Sequence, residues 1–278
     1  VFTGYQPHTT PSVELGHTTV HDSFTETKFR FQGLGGDMVP ARMALPADAA
    51  QCPFVVVLYG MGQTMKIFET AAQPVTSKGM ALIVFEQYGW GERSQPGLGN
   101  LTRLDVQERA RHTYLESRIL LDALAAWPEL DSQQSFLWGF SFGGMCAAWA
   151  AADDLRYRAC ILTVCGGDFE MALPDPGHRL PRQAFEWGAL SLLGPLINPI
   201  DPAPAISRVS PRPLLFQSAL HDQIMPRSAA VALQDAALEP KYVIWYDTGH
   251  SRRQNDYEAR VFEDGAAWLS SVGQSALE

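Results

Sequence analysis

A serine set between glycines is the first group in this chain that could do covalent chemistry. In "LWGFSFGGM" (137–145), Gly139, Ser141 and Gly143 form G-x-S-x-G, with an apolar run leading in and the small-residue stretch "GGMCAAWAAA" leading out. Glycines on both sides suit a serine held on a sharp strand-to-helix turn, because the helix must then pack close to the strand. The same residues would also serve a hydroxyl that caps a helix in a glycine-rich bend. A serine attacks an acyl carbon efficiently only when a neighbouring base takes its proton, so its partners decide between the two readings.

The histidines are His8, His17, His21, His112, His178, His221 and His250. His250 alone sits just after a late apolar run, in "DTGHSRR", ahead of the last helical pattern. His178 falls in a proline-rich segment where it could meet substrate, and His112 lies inside a helical pattern as a surface or packing residue. A base of this kind needs a carboxylate to fix its tautomer. Asp222, in "SALHDQIMP" after the run "PLLFQSA", is the leading candidate. Asp168, just past "ACILTVCGG", is its rival, while Asp247 lies so near His250 in sequence that it reads as structural.

Presenting these groups together is a task for the elements between them. Short apolar runs recur at 54–59, 81–85, 135–140, 159–165, 213–219 and 242–247. Continuous apolar runs indicate strands buried on both faces, as in a parallel sheet. Helical patterns fill the gaps at 65–77, 105–127, 142–153, 227–238 and 257–272. Alternation of this kind predicts an α/β fold with a mostly parallel, doubly wound sheet. Ahead of it, "TETKFRFQ" (25–32) and "MVPARMALP" (38–46) alternate around the turn residues "GLGGD" and predict an antiparallel hairpin, preceded by a polar lead. With no repeat and no linker, 1–278 reads as one domain. The proline-rich stretch 168–207, which contains Trp187, breaks the rhythm and reads as an inserted lid or an edge-covering piece.

Composition narrows the class. The chain is 46% hydrophobic and 18% charged with a formal net charge of −9, enough apolar material for a sizeable core and a poor match to nucleic acid. No apolar stretch reaches the about 20 residues a membrane span needs, and the first residues lack the basic start and apolar centre of a signal peptide. Cys52, Cys146, Cys160 and Cys165 show neither paired spacing nor a histidine at metal-ligand spacing, so reduced thiols, a cytoplasmic location and no metal are expected.

These motifs together resemble the α/β-hydrolases, and among them esterases, dienelactone-hydrolase-like proteins and catalytic domains of the prolyl-oligopeptidase type. The likeness runs from about residue 54 to the C-terminus. "SALHDQIMP" resembles the family's G-x-x-D-x-x-V-P segment with Ala219 in place of the glycine, and "DTGHS" resembles its histidine loop. "EQYGWGERS" resembles D-x-x-G-x-G-x-S with Glu86 for the aspartate, and "LYGMG" carries Tyr59 where family members often have histidine.

The resemblance implies an ester hydrolase needing no cofactor, with Ser141 as nucleophile, His250 as base and Asp222 as orienting acid. The oxyanion donors would be the backbone N–H groups of Met61 and Phe142. Tyr59 would reach into the pocket or else pack beneath the loop, and Phe140 and Trp187 would flank a small-molecule ester. A peptidase or amidase of the same family group and a non-catalytic binding protein remain as alternatives.

Overall fold

The computed structural model of the protein describes residues 2–5, 10–94, 103–169, 198–250 and 257–275. Among them, nine strands form one sheet: β1 (Val13–Val20), β2 (Phe24–Gln32), β3 (Met38–Pro46), β4 (Cys52–Leu58), β5 (Ala81–Phe85), β6 (Leu130–Phe140), β7 (Tyr157–Thr163), β8 (Leu214–Ala219) and β9 (Lys241–Tyr246). Their spatial order is β1-β2-β3-β5-β4-β6-β7-β8-β9. β4 to β9 run parallel, whereas β1, β2 and β3 are antiparallel and join the rest through β3 against β5.

The expected hairpin is present as β2 and β3, and β1 adds a third strand where a polar lead was expected. β1 is an edge strand exposed along most of its length, with Leu15 and Val20 in solvent. A strand without a buried face has no reason to alternate, so its sequence carries no strand period. The central strands behave oppositely. Val55, Val56, Val57 and Leu58 of β4 and all of β5 are buried, as their unbroken apolar runs require.

Five longer helices cover the two faces: α1 (Ile67–Thr76), α2 (Arg103–Leu124), α3 (Phe142–Asp153), α4 (Arg227–Ala236) and α5 (Tyr257–Ser275). The strands' two-residue period divides the core accordingly. Val56, Leu58 and Leu137 pack with α2, α3 and α4 on one face, and Val55, Val57 and Trp138 pack with α1 and α5 on the other. Burying a Val or Leu side chain contributes about 1.5–3 kcal/mol, so these two layers account for the driving force that holds the sheet.

A buried polar chain crosses the strands beneath their C-terminal edge. Trp138 Nε1 donates to Thr163 Oγ1 at 2.8 Å, Thr163 donates to Gln217 Oε1 at 2.7 Å, and Gln217 Nε2 donates to Tyr246 OH at 3.0 Å. Each strand from β6 to β9 contributes one member. Satisfied buried polar groups of this kind fix register, since an unpaired one costs about 1–3 kcal/mol.

Candidate active site

Ser141 is the single residue between β6 and α3, with φ 50° and ψ −116°. That conformation is costly for a residue with a side chain, by about 1–3 kcal/mol, and its neighbours hold it there. Ser141 N–H donates to Thr163 O at 2.9 Å, and Ser141 O accepts Met145 N–H at 3.1 Å. The flanking glycines are required by contact. A Cβ on Gly143 would lie 2.2 Å from Leu58 O, and one on Gly139 would lie 2.5 Å from Gly143 O. Strand, turn and helix therefore approach as closely as the G-x-S-x-G pattern anticipates.

His250 and Asp222 meet the serine at the same sheet edge, from the loops after β9 and β8. His250 Nε2 lies 3.0 Å from Ser141 Oγ, and His250 Nδ1 lies 2.7 Å from Asp222 Oδ2 and 2.9 Å from Oδ1. Asp222 Oδ1 also accepts the N–H groups of Ile224 and Met225 at 2.8 and 2.7 Å. A carboxylate only accepts, so the proton sits on Nδ1 and Nε2 is free to accept from the serine. The His250 and Asp222 side chains are 8% and 6% exposed, so water competes little for either bond.

The two loops are joined a second time at the surface. Leu220 N–H donates to Tyr246 O at 2.8 Å, His221 N–H to Thr248 O at 2.9 Å, and His221 Nε2 lies 2.8 Å from Asp247 Oδ1. Asp247 thus pairs with His221. Asp168, the rival acid, has its backbone N–H held by Asp201 Oδ1 at 3.1 Å.

Asp201 does more than that. Its carboxylate also accepts Phe169 N–H at 3.0 Å and Ala203 N–H at 2.8 Å. The two ends of the proline-rich segment are thereby tied together at its base. Trp187 and His178 lie outside the described residues.

For Tyr59 the structure shows one of the two alternatives, and the expectation for Phe140 needs correction. Tyr59 is fully buried on the α1 face, where its OH donates to Glu86 Oε1 at 2.7 Å and accepts Gln87 N–H at 2.8 Å. It packs beneath the loop, and burial together with the Glu86 charge pushes its phenol far above the ordinary tyrosine range. Phe140 shares that face because it lies two residues from Trp138 on one strand. Its ring stacks on Trp138 at 5.6 Å and meets Phe262 at 5.2 Å in the core.

Phe142 and Gly60, the residue before Met61, lie against the serine. Phe142 opens α3, so its N–H belongs to the helix N-terminus directly after Ser141. Met61 follows Gly60, where a Cβ would lie 3.3 Å from Ser141 Cβ.

His112, read as a surface or packing residue, is buried on α2. It stacks on Tyr88 at 4.0 Å with Nδ1 2.8 Å from Glu116 Oε1. Arg93 bonds the same Glu116 through two nitrogens at 2.6 and 2.7 Å, which makes the cluster a structural anchor for the loop after β5. Among the described residues, no helix is long and apolar enough to cross a membrane.

A serine on a strained turn after a central parallel strand, with acid and histidine on the loops of later strands, defines an α/β-hydrolase. The chain belongs to the prolyl oligopeptidase family, whose model matches residues 67–275.

Solved structures share the fold at low identity. The acetyl xylan esterase from Paenibacillus sp. R4 is similar at a TM-score of 0.68 and 20% identity, over 93% of this chain and 88% of that one. Acetyl xylan esterase 1 from Thermoanaerobacterium sp. JW/SL YS485 gives 0.69 and 18%, over 94% and 88%. A cold-adapted esterase from an Arctic intertidal metagenomic library gives 0.69 and 17%, over 92% and 97%. No curated protein matches the sequence. The resemblance drawn from the motifs agrees with both the family model and these neighbours.

Proposed function

We propose that the protein is a serine hydrolase of carboxylic esters of small to moderate size, acting through an acyl-enzyme on Ser141. The observation that carries this reading is the unbroken bond series from Ser141 Oγ through His250 to Asp222, with the serine on a positive-φ turn. In the first step Ser141 Oγ bonds to the acyl carbon while its proton passes to His250 Nε2. The carbonyl π pair moves onto oxygen, where the Met61 and Phe142 N–H groups receive it. Removing one such donor typically costs about 2.7–4 kcal/mol of barrier stabilisation. Collapse breaks the bond to the alcohol oxygen, which leaves with the proton from His250. Water then adds to the acyl carbon, giving a proton to His250 that returns to Ser141 Oγ as the acid departs.

The ester preference is supported by the neighbours, which are described as esterases and resemble this chain across its length. The proline-rich segment 168–207 serves as an inserted lid in this reading, supported by the bonds that Asp201 makes to the backbone at 168, 169 and 203. Four unpaired, buried cysteines support a reducing compartment such as the cytoplasm. The second reading, amide or peptide cleavage, is the less favoured one, since the similar structures are esterases.

The deciding experiment is the initial rate on a series of p-nitrophenyl esters of increasing acyl length beside aminoacyl anilides, for wild type and Ser141→Ala. Ester turnover that peaks at one length and is lost in the variant is expected. Anilide cleavage without ester preference would establish the second reading. No turnover and no labelling of Ser141 by a serine-directed phosphonate would identify a binding protein.

A further inference from the structure

Gln63 closes the loop that follows β4. Its backbone N–H donates to Gly60 O at 3.1 Å, and its side-chain Oε1 accepts Gly60 N–H at 2.8 Å. One residue thus bonds both polar backbone groups of Gly60. Residues 60–63 form a β-turn, and Gly62 at its third position has φ 81°, the sign a type II turn needs there.

Each bond sets one peptide plane. Gly60 N–H belongs to the Tyr59–Gly60 peptide, whose carbonyl accepts Gln87 Nε2 at 3.1 Å. Gly60 O belongs to the Gly60–Met61 peptide. In a trans peptide the C=O and N–H point in opposite directions, so turning Gly60 O to Gln63 turns the Met61 N–H the other way. This turn touches the nucleophile: the Cβ position of Gly60 is 3.3 Å from Gln63 Oε1, from Phe140 O and from Ser141 Cβ.

We propose that Gln63 is a positioning residue for the oxyanion, holding the Met61 N–H aimed where negative charge develops. The inference rests on the ester-hydrolase reading above and adds to it the residue that orders the donor loop. Gln63 acts through Gly60 and needs no contact with substrate. Its contribution is preorganisation, because a donor already in place requires no rearrangement as the oxyanion forms. The side chain is exposed, so its replacement leaves the core untouched.

The test compares wild type, Gln63→Met and Ser141→Ala on the best p-nitrophenyl ester, with inhibition by a trifluoromethyl ketone that forms an oxyanion on the serine. Methionine keeps the length of the side chain and removes the acceptor. Expected for Gln63→Met is a kcat lower by about 10- to 100-fold with KM within about threefold of wild type. Affinity for the ketone should fall by a matching factor, while affinity for the product acid stays put. An unchanged kcat and ketone affinity would overturn the inference, as would a loss carried by KM alone or by thermal stability alone. A wild type that does not turn over esters, or whose turnover survives Ser141→Ala, would overturn the ester-hydrolase reading instead.

Discussion

Tyr59 donates a hydrogen bond to Glu86 at 2.7 Å, and these are two of the three positions at which the motifs depart from the family pattern. Those two departures are therefore one interaction. Tyr59 ends the β4 side and Glu86 the β5 side of adjacent parallel strands, so a phenol reaching from one finds a carboxylate on the other. Glu86 is itself only 5% exposed, and Gly91 leaves room for it, since a Cβ there would lie 2.2 Å from Glu86 Oε2.

Tyr59→Phe removes a donor from a buried carboxylate and an acceptor from the buried Gln87 N–H. Leaving such groups unpaired costs about 1–3 kcal/mol, and the urea midpoint should fall with an unchanged slope. Glu86→Gln removes the charge from the same bond. The double variant should lose less than the sum of the singles, by about 1 kcal/mol. Strict additivity would show that the pair is not coupled.

Asp222 and Asp168 can be separated by activity. In Asp222→Asn the amide can present N–H₂ to His250 Nδ1, which favours the wrong tautomer, and kcat should fall by about 10⁴. Asp168 occupies φ 53°, a region that asparagine tolerates well. Asp168→Asn should therefore keep the activity of the wild type within a small factor. The reverse pattern would assign the orienting acid to Asp168.

The fold was legible wherever burial writes a pattern. Strands covered on both faces must be apolar throughout, so β4 and β5 stand out, and α3 starts and ends where its small residues do. β1 was hidden because an exposed edge strand has no face to mark. Ser141, Asp222 and His250 were legible for a related reason, since each follows an apolar run that ends at the same sheet edge. Phe140 was misjudged, and Tyr59 was left between two readings, because proximity to a reactive residue in sequence says nothing of side-chain direction. The two-residue strand period points Phe140 with Trp138 into the α1 and α5 layer. The Tyr59–Glu86 bond depends on β4 lying beside β5, and Gln63 acts through a turn, with only Gly62 to signal it in the sequence.

Acid should weaken the protein through Asp154 at the end of α3. Burial alone would raise this carboxyl, but the hydrogen bond and charge of Arg156 outweigh it and hold the group below the ordinary aspartate range. Arg156 Nε and Nη2 reach Asp154 at 2.9 and 2.7 Å, and Arg118 Nε lies 3.3 Å away. These bonds join α2 and α3 to the start of β7. A carboxyl whose folded value is depressed binds its proton more weakly folded than unfolded. Its stabilisation is complete above the unfolded value, and is lost as pH falls through the folded one. Asp154→Asn should cost about 1–3 kcal/mol at neutral pH, read as a lower melting temperature by about 2–4 °C per kcal/mol. The gap between wild type and variant should hold from pH 7 down to about pH 5 and begin to close below about pH 4, where the aspartates of the unfolded chain protonate first. A gap that stays constant through that acid range would mean that Asp154 contributes by shape and not by charge.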